Sequence, residues 1–152
     1  MSIEIVNKCL IQALKDGDAD WIIHQVNMQG VMGNGVAKQI KEEFPEHFRV
    51  YKEYCNNHKD LLGTVFAVDG VVGVFGQQYY GRNQRHTNYV ALISGIETFV
   101  NNVLTEFAHL NKIGIPYGIG SGLGGGHWNV VRTLVNDLQI MYPEITITFY
   151  KL

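Results

Sequence analysis

A chain of 152 residues, 46% apolar and 17% charged, is one domain of common size, able to bury about two-thirds of its unfolded surface in a single core. Its formal charge of −2 supplies no basic field for a nucleic-acid backbone, and no 18-residue apolar run or leader-like start marks a membrane span or a secreted chain. Two distant cysteines, Cys9 and Cys55, imply neither a disulfide framework nor a metal site, so the expectation is a cytoplasmic protein needing no metal or cofactor.

Ile3 to Asn7 alternates apolar and polar residues and predicts a half-buried strand, followed by a short helical or irregular lead-out from Cys9 to Leu14. After the polar break at 15–20, Trp21 to Asn27 is too apolar to face water on one side and reads as an interior strand ending on Asn27. A glycine loop, Gly30 to Gly35, opens a helix whose apolar residues 36, 37, 40 and 44 share one face. Pro45 closes that helix, and Phe48, Tyr51 and Cys55 mark the stripe of a second, ending near Asn57. Thr64–Val68 and Val71–Phe75 form a hairpin about Asp69-Gly70, and a polar, aromatic loop runs from Gly76 to His86. The spacing then predicts a long helix over Tyr89–Leu110, a strand over Lys112–Tyr117, a helix over Asn129–Met141 and a last strand over Ile145–Tyr150. Strands interleaved with helices give a three-layer α/β/α sandwich, with a mixed, mostly parallel sheet of about six strands, as a single domain over 1–152.

The stretch from Gly118 to Trp128 is the organising feature, because six of its eleven residues are glycine. Such a loop turns main-chain N–H groups toward one point, and the helix start beyond it adds unpaired donors and partial positive charge, which suits a phosphate; the plain alternative is a flexible connector. Both glycine loops follow strands, so both can face the crevice at the strands' carboxyl ends and clamp a diphosphate between them. The first is not a dinucleotide fingerprint, since Lys38 stands where the third glycine would be, nor is it a P-loop, since no Gly-Lys-Ser/Thr occurs. Asn27 can both donate to and accept from a ribose hydroxyl, or can simply cap its strand. His24 reads either as a hydrogen-bonded core residue or as an acid–base group near a phosphate. His86 and His127 lie in or beside loops that can meet the crevice, and no Ser/His/Asp order or metal-ligand spacing stands out.

With these residues in view the chain resembles a macro domain, the ADP-ribose-binding fold. The matching pieces are Ile22 to Asn27, Gly30 to Ala37, Phe44-Pro45, Leu62-Gly63, Pro116 to Trp128, and the ending Ile147 to Leu152, in family order over nearly the whole chain. Within the family it is most similar to the small branch containing the yeast-type ADP-ribose 1″-phosphate phosphatase and the terminal ADP-ribose protein glycohydrolase. The resemblance implies that Asn27 holds the distal ribose. The amides of Gly33, Asn34, Gly35 and Val36, and those of Gly120, Ser121, Gly122, Leu123 and Gly124, would hold the diphosphate, and Phe149 and Tyr150 would stack near the adenine. Three positions depart from the pattern. Cys9, with Leu10 beside it, stands where the family reads the adenine amino group with an acidic or amide side chain. Glycohydrolase members have a lysine near Gln77 and an aspartate at Gly124, and many relatives have an aspartate at His127. The implied function is ADP-ribose binding, with hydrolysis of ADP-ribose 1″-phosphate assisted by His24 or His127. The alternatives are a non-catalytic reader or sink, and a hydrolase that removes ADP-ribose from protein or nucleic-acid adducts without the lysine.

Overall fold

The computed structural model describes residues 3–33, 35–81, 84–122 and 124–152. In chain order they form β1 (Glu4–Asn7), α1 (Leu10–Lys15), β2 (Trp21–Val26), α2 (Gly35–Glu43), α3 (Pro45–Asn57), β3 (Val65–Val68), β4 (Val71–Phe75), α4 (Tyr89–Glu106), β5 (Lys112–Pro116), α5 (Trp128–Met141) and β6 (Thr146–Lys151). The six strands make one mixed sheet in the order β1-β6-β5-β2-β4-β3, and every neighbouring pair is parallel except β3 with β4. That antiparallel pair follows from Asp69 and Gly70, both at positive φ (56° and 78°), the geometry of a tight two-residue hairpin.

One face of the sheet carries α4 and α5, which bury Leu92, Ile96, Val100, Val131 and Val135 against Ile23, Val72 and Ile115. The other carries α1 to α3, with Ile22 and Val71 under α1 and α2, and Val26 and Phe75 under α3. Successive β2 residues therefore point to opposite layers, so that Ile22, His24 and Val26 face the α1–α3 side while Ile23 and Gln25 face α4. All five residues of β4 are buried, as a strand covered on both faces requires.

Beyond shifts of a residue at element ends, two features differ from the sequence expectation. β1 is not half-buried: as an edge strand beyond the helices' cover it leaves Ile5 40% exposed, while Ile3, just before it, enters the core. α4 stops at Glu106 rather than Leu110, because the Leu110 carbonyl accepts from the Trp21 indole at 2.9 Å and the chain turns down toward β5.

The strand order creates the functional crevice. β2 and β5 are parallel neighbours at the centre of the sheet, but the chain leaves β2 toward β4 and β3, and leaves β5 toward β6. Their two outgoing loops part in opposite directions and open a gap at the strands' carboxyl ends, the switch point where open α/β sheets bind ligands.

Candidate functional site

A cleft of about 720 Å³ fills this gap, a size usual for small-molecule sites. Its floor is His24 to Asn27 at the end of β2; one wall is Val31, Met32 and Gly33 with Gly35, Val36 and Ala37 opening α2; the facing wall is Pro116 to Gly120 with Gly122 and Gly124. Gln77, Tyr80 and Gly81 close a third side. Both glycine loops thus meet across one space. Among the described residues no Lys, Arg, Asp or Glu lines the cleft; what these walls offer an anion is main-chain donors and the N-terminus of α2. Asn34 and Leu123 lie outside the described residues.

Asn27 is 7% exposed, and its carboxamide is engaged with its own loop. Its Oδ1 accepts from the Gln29 amide (2.9 Å) and lies 2.8 Å from the Tyr51 hydroxyl, while Nδ2 donates to the Val31 carbonyl (2.9 Å). Tyr51, fully buried on α3, also accepts from the Val31 amide at 3.1 Å and lies 2.6 Å from the Asn27 carbonyl. Asn27 is therefore a brace that fixes the first glycine loop, with one amide proton left to offer the cleft. Burial pushes the Tyr51 phenol up, so it stays a neutral donor. Tyr51→Phe is expected to cost about 1–2 kcal/mol, the range for losing a buried hydrogen-bond partner. Faster hydrogen exchange at Gln29 and Val31 than in wild type, measured by NMR, checks that the loss is felt in this loop.

Behind the opposite wall runs a network of neutral groups. Gln77 Nε2 donates to the Tyr79 carbonyl (2.6 Å), so its Oε1 accepts from Gln25 Nε2 (2.6 Å); Gln25 Nε2 also reaches Thr87 Oγ1 (3.0 Å), which donates to the Gly120 carbonyl (2.6 Å). Two main-chain carbonyls at its ends fix every orientation between. The network occupies the space a side chain at 124 would need: a Cβ there would overlap Thr87 Oγ1 and press on Gln25 Nε2 and Gly120 O, each 3.0 Å away. The departures at Gln77 and Gly124 are thus parts of one arrangement. Gly120 itself holds φ +76° with Leu92 and Thr87 packed where a Cβ would go.

His24 contributes to the cleft floor but is only 2% exposed, and its Nε2 lies 2.9 Å from Nε2 of His47, a fully buried residue of α3 stacked on Phe66. Burial and the neighbouring His47 hold the His24 imidazole well below its usual range, and burial pushes His47 down to about 4. Both rings are neutral at physiological pH.

Other expected site residues sit elsewhere. His127 is exposed at the N-terminus of α5, where its amide donates to the Tyr89 hydroxyl at 2.9 Å, and it does not line the cleft. Ser121 folds back, both its amide and its hydroxyl donating to the Gly118 carbonyl (2.9 and 2.6 Å), so its amide is committed within a turn. Phe149 is a core side chain edge-on to Trp128 and Tyr117, and Tyr150 packs with Leu10, Ala13 and Ile22 under α1. Cys9 opens α1 beside a separate cavity of about 250 Å³ shared with Lys15, Glu42 and Glu43, away from the main cleft. The aromatic groups that do reach the cleft are Tyr117, half-buried, and Tyr80, 56% exposed at the mouth. Their signal in the sequence was only position, one just before and one between glycines.

Residues 23–135 match the model of the family described as "Macro domain". The chain is 26% identical over 143 residues to a DNA ADP-ribosyl glycohydrolase of Thermus aquaticus, covering 91% of this chain and 39% of that protein. It is 32% identical over 57 residues to an ADP-ribose 1″-phosphate phosphatase of Candida albicans, covering 38% of this chain and 36% of that one. The chain therefore spans about two-fifths of the length of the first relative, while the match to the second takes in only about two-fifths of either chain. Among solved structures, the macrodomain of Mycobacterium tuberculosis DarG superposes with a TM-score of 0.79 at 21% identity, covering 97% of this chain and 96% of that one, a likeness of fold. With the sheet order, the paired glycine loops and the family match together, the chain belongs to the macro domain family.

Proposed function

We propose that the cleft binds ADP-ribose, and that the chain either hydrolyses an ADP-ribose derivative there or holds it. The carrying observation is the convergence of two side-chain-poor loops on one space whose described walls are main chain and neutral side chains. Such a site favours a diphosphate gripped by amides, with flanking Tyr80 and Tyr117 available to stack on rings. The relatives' names share one chemical unit, ADP-ribose, while their leaving groups differ, which supports the nucleotide moiety more firmly than the bond cleaved.

ADP-ribose 1″-phosphate is the first candidate substrate, since His24 stands on the cleft floor and the loop amides could stabilise a terminal phosphate. A second reading is cleavage of ADP-ribose from a nucleic-acid adduct, favoured by the longer stretch of similarity to the glycohydrolase relative. Gln77 and Gly124 replace the lysine and acid expected of the lysine-dependent route, so water would have to be activated on the ligand itself. Titration calorimetry with ADP-ribose is expected to give a Kd on the order of micromolar, about −8 kcal/mol. Phosphate release from the 1″-phosphate, and ADP-ribose release from an ADP-ribosylated oligonucleotide, then separate the two activities. Binding with neither release would leave the reader or sink, and no binding would end the proposal.

A further inference from the structure

The net charge of −2 hides a segregation. The fourteen Asp and Glu residues leave three long stretches bare, 21–41, 70–96 and 107–136, and every described residue that lines the cleft falls within one of them. The same stretches keep six of the twelve Lys and Arg residues. An acid-free rim about an open cleft carries a local positive potential that the whole-chain sum conceals. Lys38 is exposed just past the helix start that forms one wall, and Arg85 is exposed beyond Gly81 on the third side. Neither pairs with a carboxylate among the described residues.

The third side is also aromatic. Tyr79 and Tyr80 are adjacent, 53% and 56% exposed, on a segment held from both directions. The Gln78 carbonyl accepts from the Met28 amide at 3.1 Å, the Gly76 carbonyl accepts from the Asn88 amide at 2.7 Å, and Gln77 bridges to Thr87. The two rings therefore stand in water on a fixed backbone, an unpartnered apolar surface beside a cleft. Tyr80 lines the cleft mouth and Tyr79 does not, so the aromatic surface begins at the cleft and continues outside it. Arg85 lays its guanidinium 4.7 Å over the Tyr89 ring. A guanidinium stacked in this way is held in place while its in-plane N–H groups stay free for an anion.

We infer that this lip, Tyr79 and Tyr80 with Arg85, docks a single nucleic-acid strand alongside the cleft, bases stacking on the tyrosines and a phosphate pairing with Arg85. Every base has a face that a phenol ring can take, whatever the sequence, and every nucleotide brings a negative charge to the acid-free rim. A duplex keeps its base faces stacked inside and offers Tyr79 none of them. Because the platform is already pinned, little of it has to be ordered when a strand arrives. The inference rests on the reading of the cleft as an ADP-ribose site: the ADP-ribose held there is then one unit carried by a strand, not a free nucleotide.

The test is fluorescence anisotropy with a labelled, unmodified single strand of about 12 nucleotides, on wild type, Tyr79→Ala and Arg85→Ala. Calorimetry of each protein with ADP-ribose runs beside it, and a thermal melt shows that each variant is folded. Wild type is expected to bind the strand at about 50 mM salt and about sevenfold more weakly at about 200 mM, the fall for two engaged phosphates. Tyr79→Ala should weaken the strand about tenfold and leave that salt dependence unchanged. Arg85→Ala should weaken it and flatten the salt dependence. Both should keep ADP-ribose within about twofold of wild type, since neither residue lines the cleft. No strand binding by wild type at the lower salt overturns the inference. So does strand binding that either variant leaves intact, or a duplex of the same length that binds as tightly. If the strand behaves as expected and ADP-ribose fails to bind, the reading of the cleft falls and the docking surface stands; if ADP-ribose binds and the strand does not, the reverse holds.

Discussion

Gly124→Ala is expected to weaken ADP-ribose binding by at least 100-fold, about 2.7 kcal/mol, a large effect for one methyl group. The added carbon has no room, because Thr87 Oγ1, Gln25 Nε2 and the Gly120 carbonyl already converge on that point. To admit it, Thr87 must leave Gly120, and the glycine loop loses one of the bonds that hold it over the cleft. Overpacking of this kind costs about 1–3 kcal/mol of stability by itself, so a fall of several degrees in Tm should accompany the loss of binding. Thr87→Ala combined with Gly124→Ala removes the principal obstruction and should recover part of both. Calorimetry on the two variants checks this, and a single Gly124→Ala protein that binds as wild type would refute the account of the wall.

Acid should destabilise the fold earlier than its surface carboxylates alone would dictate. In the folded state burial holds His47 down to about 4 and His24 well below its ordinary value, whereas both titrate near 6.5 when unfolded. Between these values the unfolded chain binds protons that the folded chain refuses. The stability is therefore whole above pH 6.5 and falls as pH drops toward 4. His47 alone accounts for about 3 kcal/mol by pH 4, and His24 adds in the same direction. Urea unfolding at pH 7.5 and pH 4.5 measures it. Replacing both rings with apolar residues, His24→Leu with His47→Phe, should flatten the profile in that window; an equal slope in the double variant would place the sensitivity elsewhere.

Much of the fold was legible because glycine and alternation report backbone needs directly. Asp69-Gly70 announced a hairpin, and the two glycine loops announced two walls that face one crevice, since few other residues tolerate such turns. What stayed hidden depended on contacts between distant segments. The inward stripe of α3 was read from apolar residues as Phe48, Tyr51 and Cys55, yet its fully buried members are His47 and Tyr51. They face β2 and the residue just after it, where His24 and Asn27 present polar groups, and an apolar count passes over a histidine that pairs in the core. The resemblance implies that Phe149 and Tyr150 stack near the adenine, but β6 lies between β1 and β5 with helices over both faces and buries both side chains. Cys9 and Leu10 aligned with the family's adenine reader, but Cys9 opens the short α1 beside the smaller cavity and Leu10 turns into the core beneath it.

The interlocked amides and hydroxyl behind the second loop also constrain how such a site can evolve. A carboxylate cannot arrive at position 124 while Thr87 keeps its hydroxyl, and losing that hydroxyl first deprives Gln25 of an acceptor and the Gly120 carbonyl of one of its two donors. Either first step is harmful alone, so this chain and its lysine-and-acid cousins are divided by a valley of epistasis, and a laboratory attempt to cross it would need to change 77, 87 and 124 together.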